Sequence, residues 1–215
     1  MDFGSCAFIR FVKLKPLMFP TLKIKSASRA NMDLVLKKLF RQLKPGIVLD
    51  VGSRNSPYRK VVPATKFMTL DADASKNPDI TCDLNEGIKW ESDYFDTVVA
   101  TEILQYVREP QHLVNEIHRV LKPGGVCILS TRFIQPYTPN PKDYYRFSHD
   151  ALQYLLRNFR KVEVIPHGTA IQSIWNIVTT GYSKYVLNIF NPIFARLKFF
   201  RKTRSPAGYV VYAEK

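Results

Sequence analysis

Four carboxylates fall where short apolar runs end: Asp50 after Gly46–Leu49, Asp71 after Lys66–Leu70, Asp83 after Ile80–Cys82, and Glu102 after Phe95–Thr101. In an open parallel sheet, ligands bind in the crevice beyond the carboxyl ends of the strands, so such acids would meet along one edge. Gathered there, they would repel one another unless a ligand supplied hydrogen-bond donors. A ribose diol, an exocyclic amine and an ammonium group are donors of that kind; a pyrophosphate is not.

The turn after the first run separates two cofactor classes. A dinucleotide-binding turn requires G-x-G-x-x-G, so that backbone can approach the diphosphate, but counting from Gly52 the later positions are Arg54 and Pro57. The dinucleotide fingerprint fails. Asp50 is poorly placed for a diphosphate and well suited to hold an ammonium, directly or through water. Asp71 lies nineteen residues after Gly52, where a carboxylate can accept from both hydroxyls of a ribose.

These residues need a scaffold, and the hydrophobic pattern supplies one. Met32, Val35, Leu36, Leu39, Phe40 and Leu43 share one helical stripe over Asn31–Leu43, stopped by Lys44-Pro45-Gly46. Gly46–Gly52 follows as a buried strand, and Lys66–Asp71, Ile80–Leu84, Phe95–Thr101 and Val126–Thr131 repeat the pattern. Leu113, Val114, Ile117, Val120 and Leu121 form the stripe of a helix ended by Lys122-Pro123-Gly124-Gly125, which makes a right-handed βαβ crossover. Ser148 caps a helix with the stripe Leu152, Leu155, Leu156 and Phe159, and Lys161–Pro166 and Gly208–Ala213 read as the last two strands.

The run Val48–Ser53, then Asp71, Asp83, Tyr94–Val107 and Arg119–Gly125, resembles the class I S-adenosylmethionine-dependent methyltransferases of the type-11, UbiE-like kind, over about residues 30 to 165. The resemblance implies an α/β fold, a Rossmann-like doubly wound sheet of seven strands, mostly parallel with the last antiparallel. It implies S-adenosyl-L-methionine as methyl donor. Asp50 and Gly52 would line its methionine moiety, with Ser53 and Arg54 in the same turn; Asp71 and Ala72 would meet the ribose, Asp83 and Leu84 the adenine, and Glu102 the floor beneath the sulfonium. One departure stands out: where the family commonly has Asp-x-Gly-x-Gly-x-Gly, this chain places Arg54 and Ser56 at the later glycines. The expected consequence is a backbone less free to adopt φ > 0 or to approach the ligand.

Methyl transfer from a sulfonium asks for an in-line nucleophile about 3 Å away and for exclusion of water, and sometimes for a base. The acceptor side falls on Arg132–His149, too long for a plain connector. Tyr137, Tyr144, Tyr145 and Arg146 are the expected substrate contacts, and His149 is the candidate catalytic base because an imidazole titrates in the useful range. Asp143–Phe147 also resembles a segment of a subset of these enzymes associated with glycan or surface-polymer pathways. His118 lies off its helix stripe and reads as solvated, while His112 and His167 read as structural.

The 215 residues suffice for one α/β domain with extensions: a basic extension over 1–30, then a methyltransferase domain over 31–215 with an aromatic, basic, helical insertion at 169–204. The net charge of +14 sits at the ends, with ten Lys/Arg against two acids in residues 1–44, and the same in residues 156–215. Such ends suit an anionic membrane surface, nucleic acid or plain solubility. Cys6, Cys82 and Cys127 show neither disulfide nor zinc spacing, so no metal is expected and a cytoplasmic, or membrane-peripheral, location fits. The expected function is methyl transfer to an oxygen or nitrogen of a small-molecule, glycan or lipid-linked acceptor. Two alternatives stand beside it: an inactive binding or scaffold protein, motivated by Arg54 and Ser56, and a nucleic-acid methyltransferase.

Overall fold

The computed structural model describes residues 26–181, 190, 193–194 and 205–215. The expected basic extension up to residue 25, and most of the insertion after Gly181, lie outside the described residues. Helix α1 (Ala27–Phe40) begins four residues before the apolar stripe, because Ser26 accepts a capping hydrogen bond from the Arg29 amide at 3.2 Å. The expected boundary at residue 30 therefore falls inside a helix.

Strands β1 (Gly46–Val51), β2 (Ala64–Asp71), β3 (Ile80–Thr81), β4 (Phe95–Thr101), β5 (Leu121–Arg132), β6 (Lys161–His167) and β7 (Gly208–Glu214) form one sheet, in the order β3-β2-β1-β4-β5-β7-β6. Strands β1 to β5 run parallel, and β7 lies antiparallel between β5 and β6. Seven strands with an antiparallel last strand is the expected fold class. Two strand extents differ from the sequence reading by more than two residues. β3 keeps only two residues, because the chain after it turns at Asp83. β5 begins at Leu121, which pairs with Phe95, and the Lys122–Gly125 segment bulges before the register resumes at Thr97 and Val126. Gly124 and Gly125 exchange hydrogen bonds with Lys215, both at 3.0 Å, so this segment is held by the C-terminal end of β7.

Helix α2 (Pro110–Val120) buries Leu113, Val114, Ile117 and Val120, and α3 (His149–Leu155) buries Leu152 and Leu155, on one face of the sheet. Ser148 caps α3, accepting from the Ala151 amide at 3.2 Å. On the other face, Met32, Leu36, Leu39 and Phe40 of α1 pack with Tyr58 against Val48, Val99, Ile128 and Val210. α4 (Ala170–Gly181) follows β6 and contacts α1. Each face of the sheet thus has its own apolar layer, which leaves the strand ends as the place for polar chemistry. His118 corrects the reading of a solvated side chain: its ring stands edge-on to Phe159 at 4.9 Å, and burial lowers its pKa. Among the described residues, no helix is long and apolar enough to cross a membrane.

Candidate active site

The strand order places the four expected carboxylates on successive neighbours. Asp50 lies at the end of β1, Asp71 ends β2, Asp83 follows β3, and Glu102 follows β4. They are held in different ways.

Asp50 is 2% exposed, and its Oδ2 has no hydrogen-bond partner among the described residues. Burial drives its pKa up to about 7, aided by the charge of Asp71, while a hydrogen bond with Ser56 and the charge of Arg59 pull the other way. Asp71 is pinned by backbone: its Oδ2 accepts from the Arg54 amide at 2.8 Å and its Oδ1 from the Asp73 amide at 3.0 Å. Asp83 accepts from the Asn85 amide at 2.9 Å and side chain at 2.7 Å, and these bonds lower its pKa. Leu84 beside it is buried, whereas Ala72 is exposed on the lip of the edge.

The turn joining Asp50 to Asp71 follows a left-handed path. Gly52 has φ 67°, and Arg54 and Ser56 also adopt positive φ, 47° and 42°. The restriction expected from losing two glycines is therefore corrected: both L-residues take up the conformation glycine would favour, at an energetic cost of roughly 1–2 kcal/mol each. Local bonds hold them there. The Gly52 and Ser53 amides donate to Leu70 at 2.8 and 3.1 Å, and the Ser56 amide donates to the Ser53 carbonyl at 2.7 Å. Gly52 itself cannot be replaced easily, since a Cβ would lie 2.7 Å from Ile103 Cδ1. Ser53 is buried and Arg54 exposed.

Glu102, too, has positive φ, 58°. Its amide donates to the Ser130 carbonyl and hydroxyl at 2.9 and 3.1 Å, which locks the residue over the end of β5. Its Oε2 accepts from Arg132 Nε, and its Oε1 is buried without a partner among the described residues. In the sequence, Arg132 reads only as the start of a loop. No local pattern marks it, because its partner is thirty residues away on a neighbouring strand end.

On the acceptor side, Tyr137 and Tyr144 are both exposed on the 132–147 segment. Two of the expected contact residues serve the loop itself. Tyr145 donates its hydroxyl to the Arg108 carbonyl at 2.8 Å, and the Tyr144 amide donates to the Gln105 carbonyl at 2.9 Å. Arg146 pairs with Asp143 and reaches the carbonyls of Gln135 and Pro136 at 3.3 and 3.4 Å. The segment is thereby tacked to the residues that follow β4. Tyr106, on a 3-10 turn (Leu104–Tyr106), lies within electrostatic range of both Arg132 and Arg146. His149 begins α3, with Nδ1 2.9 Å from Asp150 and its ring 6.4 Å from that of Tyr209.

A seven-stranded sheet of this order, with acids at the ends of β1 to β4, defines the class I methyltransferase architecture, whose methyl donor is S-adenosylmethionine. Residues 58–129 match a family model described as a methyltransferase domain, of type 11. Over that third of its length the chain is similar to the type-11 methyltransferases. Ubiquinone biosynthesis O-methyltransferase of Psychrobacter cryohalolentis is 40% identical over 63 residues, covering 29% of this chain and 22% of that protein. The protein of the same name from Pseudomonas paraeruginosa is 35% identical over 75 residues, covering 35% and 27%. The match thus spans about a quarter of these relatives' length. Among solved structures, a methyltransferase from Thermotoga maritima described as a possible histamine N-methyltransferase superposes with a TM-score of 0.59 at 14% identity, covering 88% of this chain and 91% of that one. A phosphoethanolamine N-methyltransferase of Haemonchus contortus, solved with S-adenosyl-L-methionine, gives 0.57 at 17% identity, covering 86% and 52%.

Proposed function

We propose that this chain transfers the methyl group of S-adenosylmethionine to an oxygen of a small-molecule acceptor. The supporting observation is the pair of buried carboxylate oxygens without partners among the described residues, Asp50 Oδ2 and Glu102 Oε1, on neighbouring strand ends. A buried ionised oxygen left unpaired is costly, and a ligand carrying an ammonium and a sulfonium offsets that cost from both sides. Asp71, already oriented by two amides, is fit to accept from a ribose diol, and Asp83 with Leu84 would border the adenine. Ser53, Arg54 and Ala72 would complete the wall.

The donor supplies an activated methyl. This chain's residues would hold it, align the acceptor and keep water out. Glu102 and Arg132 would form the floor shared by both substrates, and Tyr106, Tyr137, Tyr144 and Arg146 would border the acceptor. His149 stands as a base for an acceptor that must lose a proton, with Asp150 orienting its ring. The O-methyltransferase relatives favour oxygen over nitrogen. The positive φ of Arg54 and Ser56 supports the enzyme reading over the inactive scaffold alternative, which failure to bind the donor would favour.

A contact with a membrane surface is a second reading, favoured by the exposed Ile174, Ile177 and Val178 of α4 together with Phe190 and Ile193. Incubation with methyl-labelled S-adenosylmethionine and a panel of phenols and catechols, with and without vesicles, tests both. Label in a phenol ether supports the activity, and stimulation by vesicles supports the surface. Label recovered only on amines would overturn the choice of oxygen.

A further inference from the structure

On the α1 side of the sheet edge, Arg29, Lys37 and Arg132 line a cavity of about 540 Å³, with Asp33 and Tyr58 among its other walls. The two guanidinium groups are anchored but not exhausted. Arg29 donates through Nε to Asp33 at 3.2 Å and through Nη2 to the Tyr58 hydroxyl at 3.0 Å. Arg132 donates through Nε to Glu102. Among the described residues, Nη1 of Arg29 and both Nη of Arg132 have no acceptor, and each side chain keeps about a third of its surface, 33% and 32%. Held in place with donors to spare, both are set to take an oxyanion.

His167 lies outside that lining but is coupled to its two arginines. Arg132 of β5, Gly208 of β7 and His167 of β6 stand in register across the edge. Gly208 gives the imidazole its room: a Cβ there would lie 2.7 Å from His167 Nε2. The residue is 5% exposed, neither ring nitrogen has a partner among the described residues, and Arg29 and Arg132 are both within electrostatic range. Burial, reinforced by those two cations, lowers its pKa to about 4, so the ring is neutral at physiological pH and offers one N–H donor.

We propose that this cavity is an oxyanion subsite for the acceptor, taking a carboxylate or phosphate group between Arg29, Lys37 and Arg132, with His167, in register beyond Arg132 and outside the lining, near enough to both guanidinium groups to report on it. The Arg132–Glu102 pair would tie this anchor to the floor of the donor site. Only the identification of the ligand as acceptor rests on the methyltransferase reading; the oxyanion chemistry does not.

The test uses the full chain with labelled histidines, followed by NMR during titration with benzoate and with inorganic phosphate, against chloride at matched ionic strength. The His167 resonance, identified by its loss in His167→Gln, is expected to shift saturably with one of the two anions. The responding anion names the group. Lys37→Gln, which leaves the Glu102 pair untouched, should weaken the response several-fold, and Arg132→Gln by about tenfold or more. Saturating S-adenosylhomocysteine should leave the anion bound. The proposal is overturned if neither anion shifts His167, or if S-adenosylhomocysteine displaces the anion, because the cavity would then hold the donor's own carboxylate. Anion binding without any binding of S-adenosylhomocysteine would sustain the subsite and overturn the methyltransferase reading instead.

Discussion

Asp50, near the end of β1, and Glu102, just after the adjacent parallel strand β4, each bury one carboxylate oxygen that meets no donor among the described residues. The fold holds two acids ready at a cost to its own stability. That cost can be measured.

Asp50 has its pKa raised from 3.8 to about 7 by burial. The stability it contributes is fully present below pH 3.8 and is lost as pH rises towards 7, because the unfolded chain ionises before the folded one. About three pH units correspond to an upper limit of about 4 kcal/mol. Asp50→Asn should therefore be more stable than wild type at pH 8 by about 1–3 kcal/mol, with the gap closing towards pH 4. Urea denaturation across that range measures it.

His167 acts in the opposite direction. Its folded pKa of about 4 lies below the ordinary 6.5, so its contribution is present above pH 6.5 and is lost as pH falls through 4. In wild type the two slopes offset each other between about pH 4 and 6.5. His167→Gln, which has no proton to gain, should lose less stability than wild type on acidification, by about 2–3 kcal/mol at pH 4. Denaturant midpoints of the two proteins, compared at pH 7 and pH 4, decide it.

Arg54 carries strain that glycine would not, but glycine also has more freedom to lose on folding. Arg54→Gly should be neutral to stabilising, within about 1 kcal/mol of wild type, and should retain donor binding, since the Asp71 contact is made by the backbone amide. Arg54→Val places a β-branched residue at φ 47° and should destabilise by about 2 kcal/mol or more. Equal stability of the two variants would contradict the strain.

Much of the fold was legible because apolar runs ending in acids are local patterns: the strand ends at Asp50, Asp71 and Glu102, the cap at Ser148 and the stripe of α2 all follow from neighbours in sequence. What escaped depends on distant partners. Pro123-Gly124-Gly125 reads as a helix stop, yet the segment belongs to a bulged strand because Lys215 pairs with it. Arg132 and His167 gain their meaning from Glu102 and Gly208, across the sheet edge. The expected φ restriction at Arg54 and Ser56 is overridden by amide bonds to Asp71 and Ser53. Tyr145 and Arg146 were legible as loop residues, but their use in holding that loop was not.

The central claim is that the acids on this edge hold S-adenosylmethionine, and calorimetric titration with S-adenosylhomocysteine at pH 6 and pH 8 tests it most directly. Binding that requires ionised Asp50 should tighten about tenfold between those pH values in wild type, lose that dependence in Asp50→Asn, and weaken by roughly 1–3 kcal/mol in Asp71→Ala. No binding by the folded wild-type chain, or affinity indifferent to both substitutions, would contradict the account.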